Sequence, residues 1–191
     1  MGFLTPQARG EHAVLTTYAL QQLAQLRTSV VGLTDEQAHA TPSASSLNLT
    51  GLLRHCGQVA VFWADAAAAA PDCPAPPEEF GEEQMLEDCV ADPSTLAETL
   101  DYFDRCIAFA ARRLGDATDL DAQVPVPEAP WFPADLGSWD ARWAIAHFAT
   151  EVARHAGHAD VIRETIDGKG SYELNDLAEA HAGTGTGTGR G

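Results

Sequence analysis

The segment from Ser138 to Gly168 limits the fold most strongly, because its residues predict one long helix without a break. It contains no proline, and Ser138 is a favourable N-cap residue. Asp140 follows in the first turn, where the helix dipole favours a negative charge. Gly168 stands where a glycine commonly ends a helix. Tryptophan and alanine recur along the segment at helical spacing, which predicts that the helix packs against other helices.

Three ionisable residues follow one another at intervals of four along this helix: His147, Glu151 and His155. Residues four apart in a helix have Cβ atoms about 5–6 Å apart, so Glu151 and His155 can bind one metal ion. His147 lies about 12 Å along the axis from His155, too far for both to share that ion. His158 is close enough to act as an outer partner or a substrate contact. An alternative is that His158 replaces Glu151 as a ligand.

The rest of the chain predicts three further long helices and few strands. The four helices cover about residues 6–31, 48–70, 95–114 (with Ser94 as the N-cap) and 138–168. A short helix follows Thr34, which with Gln37 forms a capping box. The pattern predicts an all-α protein built as a four-helix bundle, with long loops between the second and third and the third and fourth helices.

The two long loops and the C-terminal tail each have a predicted structure of their own. The acidic, proline-rich loop at 71–93 predicts about one turn of helix near residues 82–89. In the loop at 115–137, the Val-Pro-Val-Pro segment predicts a short extended piece, and Trp131 and Phe132 predict a folded rim near the site. Gly-Thr repeats at the end of the chain predict a disordered tail over 169–191. One helical domain is therefore expected over residues 1–168.

The charge and the cysteines exclude several classes of function. A net charge of −17 argues against binding to nucleic acid or to an anionic membrane surface. No apolar run of about 18 residues and no signal peptide are present, so a cytoplasmic protein is expected. Cys56 and Cys106 are predicted core residues. Cys73 and Cys89 flank a loop, and a disulfide between them is disfavoured in a reducing compartment.

His55 lies in the middle of the apolar second helix and is the third candidate ligand. Facing helices of a bundle aim side chains into a shared interior, so His55 can join Glu151 and His155. Three protein ligands leave a position for water or substrate, as in catalytic zinc sites, and iron, nickel or manganese would also fit. The alternatives stay open: His55 as an ordinary core histidine, and Glu151 with His155 as a surface ion pair.

Other residues near these ligands have simpler interpretations. The tryptophans at positions 63, 139 and 143 are predicted as core residues rather than as groups that stack on a ligand. Arg154 and Arg163 are expected to pair with nearby acids, with contact to an anionic substrate as the alternative for one of them.

Three segments resemble the DinB-like bundle superfamily, and its branch of mycothiol-dependent enzymes in particular. They are LTDEQA (33–38), SSLNLTGLLRH (45–55) and EVARHAGHAD (151–160). The resemblance covers about residues 8–168. The last segment is similar to the E-T-A-R-H-A-G-H-A-D motif of this branch, with Val152 in the place of threonine.

The resemblance implies a four-helix bundle with an interior metal ion held by His55, Glu151 and His155. Many relatives have three histidines instead, and Glu151 is the departure that places this chain with the thiol-dependent branch. The implied activity is a metal-dependent S-transferase that joins mycothiol, as co-substrate, to a small electrophile. Zn²⁺ is the expected ion, and homodimers are common in the superfamily.

In this interpretation His158 or His147 moves a proton, and Arg154 binds the thiol. Two other functions stay open. One is a metal-dependent hydrolase, with water at the open position. The other is a non-catalytic stress protein that binds a metal or a small ligand.

Overall fold

A computed structural model describes residues 4–81, 84–127 and 135–184. Four long helices dominate, joined by three shorter helices, one 3-10 turn and a two-stranded ribbon, so the predicted all-α class is confirmed. The elements in chain order are α1 (Glu11–Thr28), α2 (Asp35–His39), α3 (Leu49–Ala69), the 3-10 turn (Glu78–Phe80), α4 (Leu86–Val90), α5 (Leu96–Asp116), β1 (Gln123–Pro125), β2 (Ser138–Asp140), α6 (Ala141–Asp167) and α7 (Ser171–Thr184).

Polar contacts between the long helices fix their directions. Arg142, near the start of α6, pairs with Glu11 at the start of α1. Near the other end of α6, Arg163 donates to the carbonyls of Ser29 and Val31, which follow α1, at 2.8 Å each. The two helices begin together and end together, so α1 and α6 run parallel.

The other pairs of helices complete the bundle. Arg113 on α5 donates to Asp65 on α3, and Arg54 lies over the ring of Tyr102, so α3 and α5 are also parallel. Helix α3 packs against both α5 and α6, while α1 contacts α6 and α5. The order around the bundle is therefore α1–α6–α3–α5, with an up-down-down-up course. Parallel neighbours need a connection that crosses the length of the bundle, which explains the long loop predicted between the second and third long helices, α3 and α5.

Side-chain caps fix several helix starts. Thr34 accepts from the amide of Gln37 in the predicted capping box, and Asn48 caps α3 by accepting from Gly51 N at 2.8 Å. The predicted cap at Ser94 is wrong: Thr95 caps α5. The amide of Ser94 instead donates to the Asp92 side chain at 2.9 Å, which closes the turn before the helix.

Helix α6 begins later than predicted, and Ser138 is not its N-cap. Residues Ser138–Asp140 form β2 and pair in antiparallel register with Gln123–Pro125, so cross-strand hydrogen bonds take the place of the first helical turn. The extended piece expected in the Val-Pro-Val-Pro segment is this β1 strand. At its other end, α6 stops at Gly168, whose φ of 80° is the left-handed conformation that glycine supplies without strain.

The predicted disorder after residue 168 is wrong for residues 171–184, which form α7. Leu174 is buried against the bundle, and the amides of Asn175 and Gln25 exchange hydrogen bonds at 2.9 and 3.2 Å. The Gly-Thr repeats at the end of the tail favour a prediction of disorder, although the residues before them form a short amphipathic helix. Residues 185–191, like Trp131 and Phe132, lie outside the described residues, and the domain boundary at 168 stays a prediction.

The core lies between the four long helices. Its fully buried large side chains are Leu23, Leu26, Leu49, Leu52, Leu53, Phe103, Leu114, Ile145, Phe148 and Ile162. All four cysteines are free, and Cys56 and Cys106 are buried as predicted. Within the described ranges, none of the helices combines the length and the apolar character that crossing a bilayer requires.

Candidate functional site

Three side chains from two helices converge between α3 and α6. Glu151 Oε1 lies 3.1 Å from His155 Nε2 and 3.9 Å from His55 Nε2. The rings of His55 and His155 meet edge to face, with centroids 4.8 Å apart. One donor atom from each of the three residues lies within 4.8 Å of the other two. The structure therefore brings together the three residues that the sequence singles out.

The helices place these groups at the inner edge of the bundle. Glu151 and His155 share one face of α6 because they are four residues apart. Helix α3 runs antiparallel to α6 and brings His55 opposite them. The side chains of His155, His55 and Glu151 are 7%, 15% and 32% exposed, so the cluster is largely buried but open on the side of the carboxylate.

Burial sets the protonation of the two histidines. Desolvation lowers the pKa of His55, and the neighbouring His155 lowers it further, while the Glu151 carboxylate acts in the opposite direction. Desolvation also lowers the pKa of His155 and again outweighs Glu151. Both imidazoles are therefore neutral at pH 7, which is the form that donates a nitrogen lone pair to a metal ion.

The geometry of the cluster fits a small divalent cation. In a tetrahedral site with bonds of about 2.0–2.1 Å, ligand atoms lie about 3.3 Å apart. The separations of 3.1 and 3.9 Å bracket this value, so small side-chain rotations suffice. His55 Nδ1 is buried without a hydrogen-bond partner in the described part of the chain, so no hydrogen bond at that nitrogen competes with a rotation of the ring.

His158 occupies the position expected of an outer partner. Its Nδ1 lies 3.5 Å from Nδ1 of His155, on the side of that ring remote from Glu151. Groups in this position hold a ligating imidazole in one tautomer and one orientation. His158 does not belong to the convergent cluster, so the alternative in which it replaces Glu151 has no geometric support among the described residues.

His147 lies apart from the cluster, and its surroundings were not predicted. Its ring stacks on Trp143 with centroids 4.9 Å apart and an angle of 3°, and Trp63 meets its edge at 4.8 Å. The interpretation of Trp143 as a core residue is wrong, because Trp143 is 42% exposed. The four-residue spacing of Trp139, Trp143 and His147 ahead of Glu151 is the sequence signal for this arrangement.

Arg154 and Arg163, both on α6, have different surroundings. Arg163 is buried and forms a two-point ion pair with Asp167. Arg154 is exposed beside His155 and has no hydrogen bond or ion pair to any of the described residues. Of the two, Arg154 has its guanidinium available for an anionic group.

The buried cysteine thiols of the chain are poor nucleophiles. Burial raises the pKa of Cys89 to about 11 and of Cys106 to about 12. Burial, together with the nearby Glu151 carboxylate, also raises the pKa of Cys56 well above its usual value. These three side chains stay protonated at neutral pH and do not supply a thiolate.

Comparison with protein families agrees with this site. The family model described as mycothiol-S-transferase matches residues 14–168, which is more than half of the chain and includes the whole cluster. The chain belongs to the mycothiol-S-transferase family. This membership confirms the resemblance drawn from the sequence motifs, and the family name indicates a transferase with mycothiol as its thiol. No curated protein and no solved structure matches this mycothiol-S-transferase family member.

Proposed function

We propose that this protein is a metal-dependent S-transferase that joins mycothiol to an electrophilic small molecule. The observation that carries the proposal is the convergence of His55, Glu151 and His155 in a chain of the mycothiol-S-transferase family. These three side chains would hold one divalent ion, with Zn²⁺ the best match to two imidazoles and a carboxylate. Such an ion would favour the thiolate form of a thiol bound beside it.

The residues of the chain then have distinct roles. His55 and His155 act as neutral donors because burial lowers their pKa, and Glu151 balances part of the charge of the cation. His158 keeps the ring of His155 in position through the contact between their Nδ1 atoms. Arg154, exposed and free of partners among the described residues, would bind a polar or anionic group of the thiol substrate.

The transfer step needs no oxidant or reductant. The thiol sulfur forms a bond to the electrophilic carbon, and the leaving group departs with the electron pair of the bond that breaks. The thiol proton passes to a base, for which His158 or His147 is the candidate, because an imidazole nitrogen can accept a proton.

Metal content and turnover, measured together, test the proposal. We expect about one zinc ion per chain in the wild type and in His12→Ala, a control histidine on α1 that bonds to the carbonyl of Leu114. His155→Ala should bind zinc at least about 100-fold more weakly, because losing only an outer partner already costs about 10- to 100-fold. It should also lose the transfer of mycothiol to an electrophile such as iodoacetamide.

Other results would point to other functions. Turnover of a substrate in the absence of any thiol would refute transfer and favour hydrolysis by bound water. Tight zinc binding without turnover of any thiol and electrophile pair would favour a non-catalytic metal-binding or ligand-binding protein. A cytoplasmic location, a homodimeric state and the absence of nucleic-acid binding stay predictions from the sequence.

A further inference from the structure

Three planar rings form a continuous stack at the start of α6, with Trp139 on β2 and Trp143 and His147 on the first turns of α6. Trp139 and Trp143 are parallel within 5° at 4.8 Å, and Trp143 and His147 are parallel within 3° at 4.9 Å. Trp63 on α3 meets all three rings edge to face, at 5.5, 5.6 and 4.8 Å. The stack follows the four-residue stripe that continues into Glu151, so it leads directly to the candidate metal centre.

This aromatic stack is not an ordinary part of the core. Trp143 is 42% exposed, and Trp139 and His147 are only partly buried. Large aromatic side chains that stay open to water beside a site are typical of surfaces that contact a ligand.

The end of the stack faces the candidate metal centre. One face of His147 is covered by Trp143, and among the described residues the ring contacts of His147 are those with Trp63 and Trp143. Glu151 comes four residues later, about 6 Å further along the helix axis. A planar group bound beside Glu151 would lie on the opposite face of His147 and extend the stack by one ring.

We propose that His147, supported by Trp143 and Trp63, binds the planar conjugated part of the electrophile. The substrate class would be uncharged aromatic or conjugated electrophiles, such as an aryl halide with electron-withdrawing groups. With such a substrate the thiol sulfur bonds to the ring carbon that carries the halogen. The carbon–halogen bond then breaks, halide leaves with its electron pair, and the thiol proton passes to His158, the other candidate base, and from there to solvent. This inference rests on the proposed function for its chemistry, but the binding surface can be tested without turnover.

The two roles considered for His147, proton carrier and aromatic surface, predict different behaviour of two substitutions. A role as proton carrier is lost in both His147→Phe and His147→Leu. A role as an aromatic surface is kept in His147→Phe and lost in His147→Leu. Tyr18→Leu is the matched control, because Tyr18 is an aromatic residue on α1 that is 52% exposed and is remote in sequence from the stack.

Binding is measured first, with 1,3-dinitrobenzene, a planar probe that has no leaving group. We expect saturable quenching of tryptophan fluorescence in the full-length protein, with and without added zinc. The dissociation constant should rise about 2- to 13-fold in His147→Leu, the change that corresponds to the loss of one aromatic pair. It should stay within about twofold of the wild type in His147→Phe and Tyr18→Leu. Quenching that does not saturate, or an unchanged constant in His147→Leu, would overturn the inference.

Turnover with mycothiol is measured second, as the ratio of kcat/KM for 1-chloro-2,4-dinitrobenzene to kcat/KM for iodoacetamide, a small aliphatic electrophile. We expect this ratio to fall in His147→Leu and to be kept in His147→Phe. Equal losses with both electrophiles in both variants would assign proton transfer to His147 and contradict the inference. If the wild type turns over neither electrophile, the proposed function fails, while the binding measurement still decides whether the aromatic surface exists.

Discussion

Replacing Asp167 by alanine tests how the end of α6 is held against α1. The guanidinium of Arg163 is almost fully buried, with its Nε and Nη2 atoms 3.0 and 2.9 Å from the two carboxylate oxygens of Asp167. Its Nη1 donates to the carbonyls of Ser29 and Val31. Asp167→Ala leaves this buried cation with two carbonyl partners and no counter-charge.

The magnitude follows from the exposure of the pair. Removing one partner of a fully buried ion pair costs about 3–5 kcal/mol of stability. The Asp167 side chain is 22% exposed and the carbonyls still accept from Arg163, so we expect a smaller loss of about 2–3 kcal/mol. For a protein of this size that corresponds to a fall in Tm of roughly 4–12 °C.

Asp104→Ala is the matched control, because Arg27 and Asp104 form the same two-point pair on the surface. Their side chains are 43% and 46% exposed, and we expect a loss below about 1 kcal/mol. Urea unfolding followed by circular dichroism measures both variants. If Asp167→Ala loses no more stability than Asp104→Ala, burial does not strengthen the Arg163 pair and the reasoning is wrong.

The same pair predicts a dependence on pH. Hydrogen bonds from Arg163 hold the pKa of Asp167 well below its usual value in the folded protein. The unfolded chain therefore binds the proton more readily, and the contribution of the pair is fully present above about pH 4 and is lost as the pH falls below it. The difference in stability between wild type and Asp167→Ala should shrink below pH 4. A constant difference down to pH 2 would contradict this.

Three further changes have defined outcomes in the same unfolding assay. Gly51→Ala should lose about 1–3 kcal/mol, because an added Cβ would lie 2.7 Å from the backbone of Val90; an unchanged stability would mean that α4 moves freely. Thr95→Ala should lose about 1 kcal/mol with its capping box, and a loss restricted to Ser94→Ala would contradict the assigned cap. Truncation after Gly170 removes buried Leu174 and should cost about 1–3 kcal/mol, whereas a neutral effect would show that α7 does not stabilise the bundle.

Local signals predicted most of the fold. The capping box at Thr34 and the stop at Gly168 each depend on a few adjacent residues, so the sequence is sufficient to place them. The long loops were also predictable, because they lack helical periodicity. The reason for the first of them, the crossover between the parallel helices α3 and α5, depends on tertiary contacts.

The errors arose where distant residues compete with a local preference. Ser138 is a good N-cap by itself, but its segment pairs with Gln123–Pro125. The apolar pattern extends the first helix to residue 6, whereas α1 begins at Glu11 after Gly10, whose φ of 84° is not helical. The Gly-Thr repeats predict a disordered tail, although Leu174 is buried against the bundle.

The candidate site likewise has one part that the sequence predicts and one part that depends on tertiary structure. The spacing of Glu151 and His155 is a property of one helix and was visible in the sequence. The position of His55 opposite them depends on how α3 and α6 are aligned along the bundle, which spacing alone does not determine. The sequence does not predict the aromatic stack, because a tryptophan at the position of Trp143 is typical of a core, and its exposure depends on the tertiary structure.

The stripe on α6 has one more consequence. Because His147, Glu151 and His155 alternate in chemical type, sliding α6 by one turn along α3 would present a second histidine and carboxylate pair to His55. The donor chemistry by itself does not choose between these two alignments. The arginine contacts at either end of α6, Arg142 to Glu11 and Arg163 to the turn after α1, hold α6 along α1 in the alignment that presents Glu151 and His155 to His55.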